Sequence, residues 1–211
     1  MGQVVEDVLP NQYSILSGPN FADEIDAKQP AATTIASKDS AVTVQIIASL
    51  ASPNFRLYSC DDVISAQVGG AVKNVIAIAS GICAGKNLGE NARAAIITRG
   101  LAEISKITLA FGGNAQNLLG LCGVGDLILT AYNLKSRNTK LGFELASGKK
   151  IADLIASRQT AIEGYYTAKS VQKIAEKFNL ELPICNAVYE ILYNNKDIDK
   201  AIYELISRPQ K

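Results

Sequence analysis

The chain contains no histidine. That absence excludes Ser-His and Cys-His triads, histidine-ligated zinc and imidazole acid/base chemistry together. Proton transfer near neutral pH must then fall to lysine or to a carboxylate. Cysteine is scarce, and Cys60, Cys83, Cys122 and Cys185 form no C-x-x-C pair. Each sits among apolar neighbours and reads as a reduced, small hydrophobe of a cytoplasmic protein, so no metal site is expected. Neither sign of charge is in excess: 21 Lys and Arg against 20 Asp and Glu give a net charge of +1. A nucleic-acid or anionic-membrane partner is therefore not expected. No unbroken apolar run reaches the roughly 18 residues of a spanning helix. The opening MGQVVEDVLP has no signal-peptide pattern, and no repeat or low-complexity linker is present.

What remains is a chain of 211 residues, 48% hydrophobic, long enough for one large or two small domains. Residues 1–60 alternate helix and strand signals. VVEDVL reads as a helix end, YSILSG as a short strand entering a Gly-Pro turn, and PNFADEIDAK as a helix with proline in its first turn. AATTIAS and FRLYSC read as strands flanking an amphipathic helix, DSAVTVQIIASLAS. Such alternation predicts βα units of a parallel sheet. Three strands are few for a doubly wound domain, so the segment reads as the end of one. From Asp61 the strand signals stop. Asp61 or Asp62 should cap a helix fading at Gly81 and Gly85; Asn91–Phe111 should form a long helix. Further helices are predicted over Ser136–Ser147, Ile151–Ser157, Glu163–Phe178, Ile184–Tyr193 and Ile198–Ser207. The predicted fold class is an α/β remnant, the end of a Rossmann domain over residues 1–60, followed by an all-α domain over 61–211, mostly α in total.

Within the first of these helices, GGAVKN (Gly69–Asn74) places a lysine inside an apolar run. On a helix, Lys73 has Gly69, Gly70, Ile76 and Ala77 as its nearest turn neighbours, none able to neutralise it. The glycines leave room for a close approach, and desolvation of an ammonium moves a lysine toward general-base service. The same pattern also suits a lysine snorkelling its head to solvent. Two glycine clusters invite phosphate-loop readings and fail. GICAGKN is one residue short of a Walker loop and has Asn87 in place of Ser/Thr. GVGDLI has Ile128 where a dinucleotide fingerprint requires its third glycine.

The segments SGPNFADEI, GGAVKNVIAIASG, NARAAIITRGLAEI, GVGDLILT, KSRN and EGYYTAK, in this order, cover nearly the whole chain. Together they resemble the bacterial-type NAD(P)-dependent sn-glycerol-3-phosphate dehydrogenases, which reduce dihydroxyacetone phosphate to sn-glycerol 3-phosphate for phospholipid synthesis. The resemblance implies a Rossmann domain followed by an all-α substrate domain, a homodimer, and NAD or NADP as cofactor. It makes Lys73 the catalytic proton acceptor in glycerol phosphate oxidation and the proton donor in the reverse direction. Asn74, Asp126 and Thr130 become its polar neighbours around the reacting carbonyl and hydroxyls. Ser136, Arg137 and Asn138 become the substrate phosphate site, with chemistry that suits it: a planar guanidinium fork, two neutral donors and a helix start. Gly18 and Asn20 correspond to substrate contacts, and Ala22, Arg137 and Glu163 to cofactor contacts. Arg93 and Arg99 read as structural charges.

One departure from the family stands out. No strand followed by a G-x-G-x-x-G turn opens the chain. On that ground the chain is expected to lack most of the Rossmann domain and the main cofactor-binding loop, and to be a fragment with little or no activity alone. Two other readings compete: a non-catalytic helical domain for dimerisation or ligand sensing, and a different β-hydroxyacid-type dehydrogenase. KSRN beside GGAVKN argues against the last, because most such substrates need no phosphate site.

Overall fold

The structure, a computed structural model, describes residues 2–8, 13–157 and 160–209. The helix expected over residues 4–9 is α1 (Gly2–Val8), Leu9 lying outside the described residues, as does part of the opening segment read for a signal peptide. The chain divides into two compact units, Met1–Gly70 with Thr108–Leu129, and Ala71–Ile107 with Thr130–Lys211.

In the first unit, β1 (Ile15–Ser17), β2 (Ala31–Ala36) and β3 (Phe55–Cys60) form a three-stranded sheet in that order. The β2–β3 pair is parallel, Ala31 opposite Phe55, and its connection is α3 (Ser40–Leu50). Asp39 caps that helix, its carboxylate accepting the Ala41 N–H at 2.8 Å. The parallel expectation fails for β1, which pairs antiparallel with β2, Ile15 opposite Ala36. The reading of this region as the remnant of a larger sheet is also corrected. The three strands make a mixed sheet with its own core, Ala36, Ala66 and Cys122 packed with Ile15 and Cys60. Counting strands against an idealised parallel sheet misjudges such an arrangement. Pro19 is not in a helical first turn either: α2 runs from Ala22 to Asp26, capped by the extended Phe21.

Asp62 organises the segment that follows. Its carboxylate accepts the Ser65 N–H at 2.9 Å, the Ser65 hydroxyl, the Asn114 N–H at 2.6 Å and the Asn117 amide at 3.2 Å. It thereby caps α4 (Val63–Gly85) and ties it to the chain after α5 (Glu90–Ala110). Burial alone would raise this carboxyl, but the donors outweigh it and hold it below the usual range. A carboxyl depressed in the folded state stabilises above its unfolded value, and that stabilisation is lost as pH falls through the folded one. Asp62→Asn should therefore cost about 1–2 kcal/mol near neutral pH. It should also flatten the acid limb of a denaturant-midpoint-versus-pH curve below about pH 4. An acid limb identical to wild type would refute the assignment.

The second unit is helical: the later turns of α4, most of α5, the end of α6 (Asp126–Tyr132), then α7 (Arg137–Ala146), α8 (Ile151–Ala156), α9 (Glu163–Phe178), α10 (Pro183–Tyr193) and α11 (Ile198–Ile206). Val75, Ile76, Ile78, Ile104, Leu141, Val171 and Val188 are among its fully or nearly fully buried side chains. α4 does not fade at Gly81, because that glycine serves a helix crossing. A methyl group on Gly81 would stand 2.0 Å from the Thr139 carbonyl oxygen, and one on Gly142 2.0 Å from that of Ile78. The backbones of α4 and α7 are therefore in direct contact.

On α5, Glu103 is only 3% exposed, and its carboxylate accepts the Ile184 N–H at 2.7 Å and the Cys185 N–H at 3.0 Å. Burial pushes this carboxyl above its usual range while the two donors pull it back. It supplies the cap that α10 lacks in its own sequence, where Leu182 precedes Pro183.

α4 also revises the membrane reading. Lys73 and scattered polar residues interrupt its apolar run in sequence, yet the 23-residue helix is long and apolar enough on average (hydropathy 1.4) to cross a bilayer. Its most apolar stretch is 61% buried inside the protein, as in a core helix. All four cysteines are free thiols, and among the described residues no cluster of acidic and cysteine side chains could hold a metal ion.

Candidate functional site

Three segments far apart in sequence meet in the second unit. Asn138, buried at the start of α7, donates its side-chain amide N–H to Asn74 Oδ1 on α4 at 2.9 Å. Its own Oδ1 accepts the Gly164 N–H, also at 2.9 Å, in the first turn of α9. Because a backbone N–H can only donate, this contact fixes which way the Asn138 amide points. Gly164 has to be glycine here: a Cβ would lie 2.6 Å from Asn138 Oδ1 and 2.7 Å from the Asn74 carbonyl oxygen. Sequence reasoning passed over Gly164; a glycine inside the first turn of a strongly amphipathic helix was the available signal.

Beside this junction Arg137 and Glu163 form an ion pair at 3.1 Å, with side chains 45% and 55% exposed. Solvent screens such a pair, so it contributes little to stability and leaves the guanidinium accessible to an anion. Ser136 caps α7, its hydroxyl oxygen accepting the Thr139 N–H at 3.3 Å. Thr130 is buried in the last turn of α6, where its carbonyl accepts the Thr139 hydroxyl at 2.6 Å. Lys73 is half-buried on α4, one residue before Asn74. The second unit thus holds Lys73, Asn74, Thr130, Ser136, Arg137, Asn138 and Glu163, and links Asn74 to Asn138 and Arg137 to Glu163 directly.

Gly18, Asn20, Ala22 and Asp126 belong to the first unit. Gly18 lies against β2, where a Cβ would come within 2.6 Å of Thr33 Oγ1. Both polar atoms of the Asn20 side chain are buried, and among the described residues neither has a hydrogen-bond partner. A buried amide left unsatisfied is costly. Ala22 is exposed at the first residue of α2. Asp126 is buried and opens α6 directly after a π-helical turn, Leu121–Gly125, a distortion frequent at functional sites. That turn adjoins the Gly18–Asn20 turn, since a Cβ on Gly125 would be 3.7 Å from Pro19 Cγ. The room left by Gly69 is taken by the chain itself: a Cβ there would meet the Cys122 carbonyl oxygen at 2.5 Å.

Comparison with known proteins gives these positions a context. The model of the NAD-dependent glycerol-3-phosphate dehydrogenase C-terminus matches residues 62–203, and that of the same family's N-terminus matches residues 1–43. Glycerol-3-phosphate dehydrogenase [NAD(P)+] of Solidesulfovibrio magneticus is 43% identical over 214 residues, covering 100% of this chain and 65% of that protein. The Rhodospirillum rubrum protein of the same name is 44% identical, covering 99% of this chain and 60% of its own length. A crystal structure of glycerol-3-phosphate dehydrogenase from Coxiella burnetii superposes with a TM-score of 0.94 at 39% identity, over 98% of this chain and 64% of that one. These likenesses agree on one family. The chain belongs to the NAD-dependent glycerol-3-phosphate dehydrogenase family.

Three expectations change as a result. The expected loss of most of the N-terminal domain does not hold, because the family's N-terminal model matches residues 1–43. The same match overturns the expectation that the cofactor-binding portion is absent. An inactive fragment is not what the relatives describe either, since they align over 99–100% of this chain. The chain spans 65% and 60% of the length of the two curated relatives.

Proposed function

We propose that this protein interconverts dihydroxyacetone phosphate and sn-glycerol 3-phosphate with NAD or NADP, as a cytoplasmic homodimer. The observation that carries the reading is the junction of GGAVKN, SRN and EGYY through Asn74, Asn138 and Gly164, with Arg137 beside it. Arg137, Ser136 and Asn138 hold the substrate phosphate, the guanidinium exchanging part of its contact with Glu163 for phosphate oxygens. Lys73 gives a proton to the developing alkoxide during reduction and takes it back during oxidation. The family resemblance assigns Asn74, Asp126 and Thr130 to the carbonyl and hydroxyls, and Gly18 and Asn20 to substrate contacts. Ala22, Arg137 and Glu163 face the cofactor; the unsatisfied Asn20 amide two residues before Ala22 suits a polar ligand at that turn. Bound nicotinamide supplies the hydride. Residues 1–60 belong mainly to the dinucleotide-binding domain and 61–211 mainly to the substrate domain in this reading.

The test is NADH oxidation by the purified chain with dihydroxyacetone phosphate, repeated with Arg137→Ala. Loss of a phosphate-binding fork should raise KM by about 10²-fold, since charge-assisted hydrogen bonds are worth roughly 1.5–3 kcal/mol. No turnover by wild-type chain, or an unchanged KM in the variant, would defeat the proposal.

A further inference from the structure

Arg93 has no place in the site described so far, yet its surroundings are not those of a solvated surface charge. Its side chain is only 11% exposed. Nε donates to Ser80 Oγ at 3.0 Å, and Nη2 donates to the Ala131 carbonyl oxygen at 2.8 Å. The Ser80 hydroxyl donates to that same carbonyl at 2.8 Å. The guanidinium also lies 4.6 Å from the centre of the Tyr132 ring, and Nη1 is 3.7 Å from Glu90.

Ala131 and Tyr132 are the last two residues of α6, whose terminal carbonyls have no partner within the helix. Two of them are met by side chains of this unit: Thr130 by the Thr139 hydroxyl, and Ala131 by Arg93 and Ser80 together. A cation at a helix C-terminus is further favoured by the macrodipole. The turn after α6 is short and internally bonded, with the Ser136 N–H donating to Asn133 O at 3.0 Å and the Lys135 N–H to Asn133 Oδ1 at 2.8 Å. Any shift of the end of α6 is therefore passed to Ser136, Arg137 and Asn138.

We propose that Arg93 is a positioning residue: through the Ala131 carbonyl and the Tyr132 ring it holds the α6–α7 corner, and so sets where the Ser136–Arg137–Asn138 phosphate grip stands. The inference rests on the function proposed above. It requires a guanidinium specifically. A lysine ammonium at this position can neither span Ser80 and Ala131 with a planar fork nor stack on the tyrosine in the same way.

The experiment compares wild type, Arg93→Lys and Ser80→Ala by steady-state kinetics, melting temperature and calorimetric titration with glycerol 3-phosphate. Displacement of a substrate-gripping group by about 1 Å can cost up to about 10²-fold. Arg93→Lys should raise KM for dihydroxyacetone phosphate about tenfold with kcat within about twofold, KM for NADH changing by a smaller factor because only Arg137 of the three gripping residues also faces the cofactor. Ser80→Ala, which keeps the Arg93–Ala131 bond, should shift the same constant in the same direction by about two- to threefold. Glycerol 3-phosphate affinity should fall in step with KM in both variants. If Arg93→Lys does not fold, Ser80→Ala decides the matter. Folded variants with unchanged KM for dihydroxyacetone phosphate, or with kcat lowered as much as that KM is raised, would overturn the inference and leave the proposed function standing. A wild-type chain that neither turns over nor binds glycerol 3-phosphate would overturn both.

Discussion

Lys73→Met is expected to lower kcat for dihydroxyacetone phosphate reduction by about 10²–10⁴-fold, the usual contribution of a positioned acid/base group. Methionine keeps an unbranched apolar stem of similar length, so packing of α4 against its neighbours should survive. The composition sharpens this expectation, because no histidine exists to take over the proton. Binding of glycerol 3-phosphate, which the proposed function assigns to Arg137 and its neighbours, should change far less than turnover. The measurement is kcat by NADH absorbance, with calorimetric affinity in parallel. A variant keeping a tenth or more of wild-type kcat would remove Lys73 from the proton-transfer role. A variant losing binding and turnover in equal proportion would make it a binding residue.

The largest expected stability effect lies at the α4–α7 crossing. Gly142→Ala puts a methyl group 2.0 Å from the Ile78 carbonyl oxygen, and its neighbour is backbone, not a side chain that can swing away. One helix must move off the other, which also pulls at Asn138 near the start of α7. Overpacking of a dense core costs about 1–3 kcal/mol and more where nothing can relax, so about 3 kcal/mol is expected. For a chain of this size that is a fall in Tm of roughly 6–12 °C. Lys140→Ala, an exposed position on the same helix, should leave Tm within about 2 °C. Equal melting temperatures for Gly142→Ala and wild type would show that the helices separate freely at that point.

Much of the secondary structure was legible because its determinants are local. A β-branched run marks β2, aromatic residues Phe55 and Tyr58 mark β3, and α9 occupies Glu163–Phe178 as its periodicity predicts. Helix ends elsewhere differ by one or two residues, except that α2 begins three residues later than expected. The direction of β1 was not legible, because an αβ connection of given length leaves no trace of whether the chain turns back. Gly81 was misread for a related reason: a glycine weakens an isolated helix, yet a helix crossing rewards its missing side chain. The candidate site was legible as residue types at motif positions. Its wiring was not, since Asn138 finds Asn74 and Gly164 across 64 and 26 residues of sequence. Arg93 was dismissed for the same cause, as its partners Ser80 and Ala131 come from two other helices.

The carboxylate that Glu103 extends from α5 changes how α10 can come apart. Helices ordinarily fray from both ends, and an opening without a local cap is a weak one. Here the Ile184 and Cys185 amides are sealed under a side chain 81 and 82 positions away in sequence. Unravelling of α10 should then start at Tyr193 and run backwards, its first turn held for as long as the Glu103 carboxylate stays on those two amides.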